Sequence, residues 1–153
     1  MRLAAKIFLL ILFIILTPMC LKRSRAIGPA VGGSVNDFGI SGKVRFNIGE
    51  LDENIRVTTD VYAIYNITSK QLIPSTSQGL FFLLKETSAD DVWPYFGASL
   101  NLLAEQKSIK SGVLFSGGYE MLYRQNYILF AEGSLGFGKL PFLSASAGML
   151  FKF

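Results

Sequence analysis

The end of the chain alternates between apolar and small or polar side chains, and the alternation continues to the last residue, Phe153. Side chains on a β-strand point to opposite faces with a period of two, so this segment predicts a strand with one apolar face. The apolar positions are Leu143, Ala145, Ala147, Met149, Phe151 and Phe153, and they alternate with Ser144, Ser146, Gly148 and Lys152. The chain is therefore expected to end on a strand whose last side chain is aromatic.

The same alternation recurs along most of the chain. It predicts strands over 38–48, 55–65, 94–102, 112–121 and 127–137, with turns at 49–54, 124–126 and 138–141. Two weaker segments complete the pattern: a glycine-rich stretch at 27–35, and an apolar run at 79–85 that fits either a strand or a short helix. Residues 66–78 are expected to form the longest loop. Counting both weak segments gives eight strands, which is an even number. Each strand has, or nearly has, the length that a tilted membrane strand needs.

The first 26 residues predict a signal peptide. Arg2 and Lys6 form a basic start, an apolar run follows, and Ser24 and Ala26 supply small residues before a cut after Ala26. The apolar run is shorter than the roughly 20 residues of a membrane-spanning helix. Lys22, Arg23 and Arg25 place positive charge before the cut, so an uncleaved anchor stays open as an alternative. The barrel domain is then 27–153.

Charge and cysteine content exclude several classes of function. The whole chain has a formal charge of +4, but segment 27–153 contains ten basic and eleven acidic residues, which removes the basis for nucleic-acid binding. The only cysteine, Cys20, lies in the leader, where bulky Met19 before it argues against lipidation. The chain has no histidine, so neither a serine–histidine hydrolase nor a histidine metal site is expected. We expect no enzyme activity, no cofactor and no metal.

The chemistry of the two strand faces predicts which one looks inward. Positions opposite the apolar ones are mostly Gly, Ser and Asn in the last four strands, whereas the wet face of a soluble sheet normally carries Lys, Glu, Thr and Gln. Small residues fit the narrow lumen of an eight-stranded barrel, and closure pairs all backbone groups, as hydrocarbon surroundings require. The predicted fold is all-β: a closed antiparallel up-and-down transmembrane β-barrel.

The last strand resembles the C-terminal assembly signal of bacterial outer-membrane β-barrels, in which a polar residue, a glycine and two alternating aromatics end the chain. Ser146, Gly148, Phe151 and Phe153 occupy those positions. The strand pattern is similar to that of small barrels of the OmpA/OmpX type. This resemblance implies a monomer in the bacterial outer membrane with a non-enzymatic structural or surface-interaction role. It also implies outer-membrane lipid, periplasmic chaperones and the barrel-assembly machinery as partners.

Seven charged residues fall on the predicted inner face, and we expect them to form salt bridges that fill and stiffen the barrel, because an isolated charge there costs several kcal/mol. If the first clear hairpin turns at Leu51-Asp52, Lys43 faces Asp60 and Asn47 faces Arg56. A gate or narrow ion path is the alternative reading. The seven residues are Lys43, Arg45, Arg56, Asp60, Glu120, Glu132 and Lys152.

Two other functions stay open at this stage. A soluble periplasmic barrel, such as a lipocalin, would show the same alternation but would bury its apolar face around an apolar ligand. A minimal pore would share the membrane fold but would leave a conducting lumen. A lipid-modifying enzyme is disfavoured by the missing histidine.

Overall fold

The computed structural model describes residues 26–34, 39–85, 91–105, 108–138 and 143–153. These residues form eight β-strands, and no helix among them is long and apolar enough to cross a membrane. The predicted leader lies almost entirely outside the described residues, so its cleavage stays a prediction. The strands are β1 (Ala26–Ser34), β2 (Gly39–Asp52), β3 (Ile55–Asn66), β4 (Gln71–Leu83), β5 (Val92–Glu105), β6 (Ser108–Tyr123), β7 (Tyr127–Gly138) and β8 (Leu143–Lys152).

The eight strands close into an antiparallel up-and-down barrel. Each strand pairs with the next one in sequence, and β1 pairs with β8, for example at Ala30↔Gly148. Closure leaves no free strand edge, which is the condition for placing a sheet in hydrocarbon. The predicted fold class is confirmed.

The apolar stripes of the strands point outward and the small or polar stripes point inward. Val31 and Tyr119, for example, are 70% and 62% exposed, whereas Asn101 on the inner face is 1% exposed. Inward-facing serines and charged residues are buried on most strands. This arrangement is the reverse of a soluble protein, whose large apolar side chains gather in the core.

The connections define two ends of the barrel. We call the terminal end the one where β1 begins, β8 ends, and the turns at Glu53-Asn54 and 124–126 lie. The loop end holds the connections at 35–38, 67–70, 106–107 and 139–142, none longer than four residues. At 67–70 the Asn66 side chain accepts a hydrogen bond from the Ser69 backbone N–H at 2.8 Å, which stabilises a four-residue turn.

The predicted register of the β2–β3 hairpin is wrong. The hairpin turns at Glu53-Asn54 instead of Leu51-Asp52. Two irregularities in β2, at 47–49 and 50–52, shift the pairing between β2 and β3. Arg45 therefore lies opposite Asp60, and Lys43 lies opposite Tyr62. Asn47 likewise faces Thr58 rather than Arg56. Bulges add residues to one strand only, and alternation alone does not reveal them.

The predicted long loop at 66–78 is also wrong, because most of it belongs to β4. Residues 71–82 pair with β3 and Leu83 pairs with Tyr95 of β5, which shows that the 79–85 run is a strand up to Leu83. Pro74 lies within this strand, opposite Ala63. Pro and a run of small polar residues hide the strand pattern, because they lack the β-branched and aromatic residues that mark strands.

Inward-facing glycines allow the strands to approach closely where the barrel is narrow. At Gly118 on β6, an added Cβ would lie 2.1 Å from the carbonyl oxygen of Ala131. At Gly148 on β8, it would lie 2.4 Å from the Cβ of Ala30 across the β1–β8 seam. No side chain fits at these two positions without moving the backbone of the neighbouring strand.

Replacing Gly118 with Ala is expected to destabilise the barrel by about 1–3 kcal/mol, because the new methyl group overlaps neighbouring backbone. Urea unfolding of the protein refolded in detergent micelles, followed by the fluorescence of the one tryptophan, Trp93, measures this change. The matched control is Gly133→Ala on the adjacent strand, where an added Cβ meets nothing within 4 Å. Equal stability of the two variants would contradict the steric argument.

Candidate functional site: the charged lumen

Six of the seven charged residues that the sequence predicts for the lumen lie inside the barrel. Lys43, Arg45, Arg56, Asp60, Glu120 and Glu132 all take part in ion pairs within the barrel. Their side chains are between 2% and 9% exposed. Lys152 is exposed at the terminal end of β8 and takes no part in these ion pairs. Its assignment to the lumen cluster is wrong because the strand extends to the rim before reaching it.

Arg45 is the centre of the larger cluster. Its Nε and Nη2 donate to the two carboxylate oxygens of Asp60, each at 2.8 Å, in a bidentate pair. Nη2 also donates to Glu132 Oε1 and Oε2 at 2.8 and 2.9 Å. The planar guanidinium thus joins acids from β3 and β7 across the lumen, a geometry that lysine does not provide.

Lys43 and Tyr95 complete this cluster, which we call the central network (Lys43, Arg45, Asp60, Tyr95 and Glu132). The Lys43 ammonium pairs with Glu132 and lies 3.5 Å from Asp60 Oδ2. The Tyr95 hydroxyl donates to Glu132 Oε2 at 2.8 Å. The charged groups comprise two cations and two anions, so the network is neutral. Neutrality matters because a buried charge without a partner is strongly destabilising.

Aromatic rings cover the central network on the side of the terminal end. The Arg45 guanidinium carbon lies 4.6 Å from the ring centroid of Phe130 and 5.5 Å from that of Phe81. The Lys43 ammonium lies 5.5 Å from the Phe130 centroid. Cations over aromatic faces gain electrostatic stabilisation, and the rings exclude water from the ion pairs.

A second ion pair lies nearer the terminal end. Arg56 Nη1 donates to Glu120 Oε1 at 2.7 Å, and Arg56 Nη2 lies 3.6 Å from Glu50 Oε1. Glu50 is the most exposed of the three side chains, at 21%. The shifted register of β2 brings Glu50 opposite Arg56, so sequence alternation did not identify it as a lumen residue.

Apolar side chains also fill part of the lumen toward the terminal end, which the sequence analysis did not predict. Leu150 on the inner face of β8 is fully buried. It packs in a cluster with Ala26, Ala30, Ile128 and Phe130. A second cluster contains Phe81, Leu83 and Tyr95. The signal was present in the sequence, because these residues occupy inner-face positions in otherwise polar stripes.

Above the central network, toward the loop end, lies a cavity of about 50 Å³. Serine residues from seven of the eight strands line it, and Lys43, Asp60 and Glu132 form part of its floor. The hydroxyls of two of them, Ser116 and Ser134, lie 2.8 Å apart. The lining serines are Ser34, Ser41, Ser77, Ser99, Ser116, Ser134, Ser144 and Ser146.

Two residues of the predicted assembly signal have structural roles inside the barrel. The Ser146 hydroxyl donates to Glu132 Oε1 at 3.1 Å, and Gly148 allows the close approach of β1 described above. The other two point outward. The Phe151 ring packs edge-on against Tyr127, with centroids 5.4 Å apart, and Phe153 is 77% exposed. Their role in assembly stays a prediction.

The arrangement of these groups is suited to filling space rather than to chemistry. Each carboxylate of the central network is held by cations, and the described residues contain no group of three or more side chains that could hold a metal ion. A carboxylate in two salt bridges is a poor general base, since proton uptake would break both.

The fold is similar to that of known outer-membrane barrels. Neisserial surface protein A is 20% identical, with a TM-score of 0.61, over 85% of this chain and 96% of its own. The N-terminal β-barrel domain of Pseudomonas aeruginosa OprF is 14% identical, with a TM-score of 0.58, over 86% and 100%. A de novo designed transmembrane β-barrel is 15% identical, with a TM-score of 0.60, over 88% and 100%. No protein-family model matches the chain, and no curated protein was found to match it.

Replacing Glu132 with Gln is expected to destabilise the protein by about 3–5 kcal/mol, because it leaves an excess positive charge buried beside Lys43 and Arg45. Replacing Lys43 with Met in the same chain restores neutrality, so the double variant is expected to be more stable than Glu132→Gln alone. Urea unfolding in detergent micelles measures both. Lys152→Gln, at an exposed position, is the control and should change nothing. Additive losses in the double variant would contradict the neutrality argument.

Proposed function

We propose that the chain is a structural protein of the bacterial outer membrane: a closed barrel that spans the bilayer, conducts no ions and catalyses no reaction. The observation that carries this proposal is the inverted distribution of side chains. The exterior presents large apolar residues, and the interior holds buried ion pairs, of which the central network is neutral. Such a surface is stable only where hydrocarbon surrounds it.

Similarity of fold supports the proposed location. The natural barrels of the same fold described above are bacterial outer-membrane proteins, and the designed one is transmembrane. The predicted leader and the resemblance of the last strand to an assembly signal agree with delivery to that membrane. Lipid, periplasmic chaperones and the barrel-assembly machinery are the partners that this route requires.

The lumen argues against a pore. The central network joins β2, β3, β5 and β7 across the lumen, and two apolar clusters lie between it and the terminal end. An ion crossing this region would have to shed its water and separate buried ion pairs, each step costing several kcal/mol. A resting protein of this design is expected to be closed.

The same features argue against a soluble carrier of apolar ligands. In such a barrel the lumen would be apolar and open, whereas here it contains six buried charged side chains with their partners. The exterior would have to be wet, whereas Phe96, Phe115 and Tyr119 are each more than half exposed. A water-soluble monomer rarely exposes an apolar surface of this extent.

The short loop-end connections favour structure over surface interaction. The connections at 35–38, 67–70, 106–107 and 139–142 contain at most four residues each. A receptor or adhesive surface needs chain that extends beyond the membrane, since loops carry most binding residues. The role that we propose is therefore to add a stiff, sealed protein element to the membrane.

The purified protein is expected to need detergent or lipid to stay folded, and its mobility in a denaturing gel should shift on heating. Reconstituted in a planar bilayer, it should conduct near zero, and Asp60→Asn should remain near zero because the rest of the lumen stays filled. Cell fractionation should place it with the outer membrane. Recovery of folded protein in the soluble fraction would overturn the location, and steady wild-type channels would overturn the closed state.

Deletion of Phe153 separates assembly in cells from folding in vitro. This side chain is exposed, so its loss should leave refolding in detergent micelles unchanged, as measured by heat-shifted mobility. If the final aromatic is an assembly signal, the same deletion should lower the amount of folded protein in outer membranes several-fold. The control is Tyr119→Ala, another exposed aromatic, which lies within a strand. Equal losses for both variants in cells would contradict a signal role for Phe153.

A further inference from the structure

We propose that the serine-lined cavity is a binding site for water and other very small uncharged molecules that form hydrogen bonds, and that they enter from the loop end only. We call this cavity the vestibule. It lies outside the structural role proposed above, because a sealed barrel needs no cavity. Its volume of about 50 Å³ holds a few waters, each of which needs about 10–15 Å³.

The vestibule has a polar lining on nearly every side. Eight serine hydroxyls face it, and each hydroxyl both donates and accepts hydrogen bonds. A lining made of such groups fits water or a small amide or alcohol in many orientations. Four of the 17 lining side chains are aliphatic or phenylalanine, so the lining combines hydroxyl groups with apolar surface: Ile64, Phe81, Leu114 and Ala145.

Two buried polar atoms near the vestibule have no partner in the protein. The hydroxyl of Tyr62, which lines the vestibule, lies near Ser75 and Asn101 but has no partner within hydrogen-bond geometry among the described residues. The side-chain N–H₂ of Asn101 is likewise unpaired, although that residue is 1% exposed and its oxygen accepts from Ser75 Oγ at 2.9 Å. Buried polar groups without protein partners are normally satisfied by bound water or a ligand.

The charge of the floor selects against ions. Lys43 and Arg45 are balanced by Asp60 and Glu132, so an entering cation or anion meets no net opposite charge. It would lose its hydration without compensation, which costs several kcal/mol. An uncharged molecule loses only hydrogen bonds that the serine hydroxyls replace.

Within the described residues, the vestibule is closed toward the terminal end and reaches the loop end. It extends from the central network to Ser34 and Ser144, which lie at or next to the ends of β1 and β8 at the loop end. On the other side the floor is closed by Arg45 and Phe81, and the apolar clusters lie beyond them. Thr58, one inner-face position below Asp60 on β3, is buried but does not line the vestibule.

Thiol modification of full-length protein in detergent micelles tests the proposal. Cys20→Ser removes the only native thiol, and single cysteines are then placed at Ser77 in the vestibule, Thr58 below the floor and Ser69 in an exposed connection. Ser77 and Thr58 are matched, since they are 6% and 4% exposed on adjacent strands. The probes are methyl methanethiosulfonate, which is uncharged, and its anionic sulfonatoethyl and cationic trimethylammonioethyl analogues. Mass spectrometry gives the rates relative to those of Ser69→Cys.

The uncharged probe is expected to modify Ser77→Cys about tenfold faster than Thr58→Cys, since thiol reactivity follows access. At Ser77→Cys, the uncharged probe is also expected to react about tenfold faster than either charged probe. Equal modification of Ser77→Cys by charged probes would overturn selectivity for uncharged molecules. No modification at Ser77→Cys, or equal rates at Ser77→Cys and Thr58→Cys, would overturn the one-ended vestibule. If Ser77→Cys does not fold, as judged by heat-shifted mobility, Ser99→Cys on the adjacent strand of the lining is used for the same test.

Discussion

The pairing of β1 with β8 is the constraint on which the rest of this structure depends. Once the sheet closes with eight strands, the lumen is narrow and each inward side chain must fit against those of the opposite strands. Glycine is therefore needed at the seam, where Gly148 meets Ala30. Charged groups can be buried inside only when they are paired with opposite charges, because little water is available to solvate them. The ion pairs of Arg45 and Arg56 are therefore required by closure, and they also stabilise the closed barrel.

The sequence predicted the fold because closure and burial leave a regular signature. Alternation identified the two faces, and the preference for small residues on one face identified the lumen. Arg45, Asp60, Glu120 and Glu132 could be placed inside from strand parity alone. The face that a residue occupies depends on whether its position along the strand is odd or even, and this does not change when a strand end is misplaced. Six of the seven lumen charges were therefore assigned correctly although several strand bounds were not.

Other features depend on the pairing register between strands and on the depth of a residue in the barrel, and neither can be read from alternation. Irregularities in β2 placed Arg45 instead of Lys43 directly opposite Asp60, although the Lys43 ammonium still reaches Asp60, and they brought Glu50 beside Arg56. Lys152 has inner-face parity but lies at the rim, so its depth decides its exposure. The hydrogen bond from Tyr95 to Glu132 joins strands that lie apart in sequence, so it depends on strand tilt, which parity does not give. The strand at 71–83 was hidden because small polar residues and Pro74 replace its apolar stripe.

The seam between the first and last strands also determines when the protein can become stable. No shortened product of translation that lacks β8 can close, because β1 and β7 would each keep an unpaired edge. The contact between β1 and β8 is the longest in sequence and can form only after β8 has been synthesised. A chain without β8 keeps two open strand edges, so the order of the strands makes closure of the barrel depend on the presence of every strand.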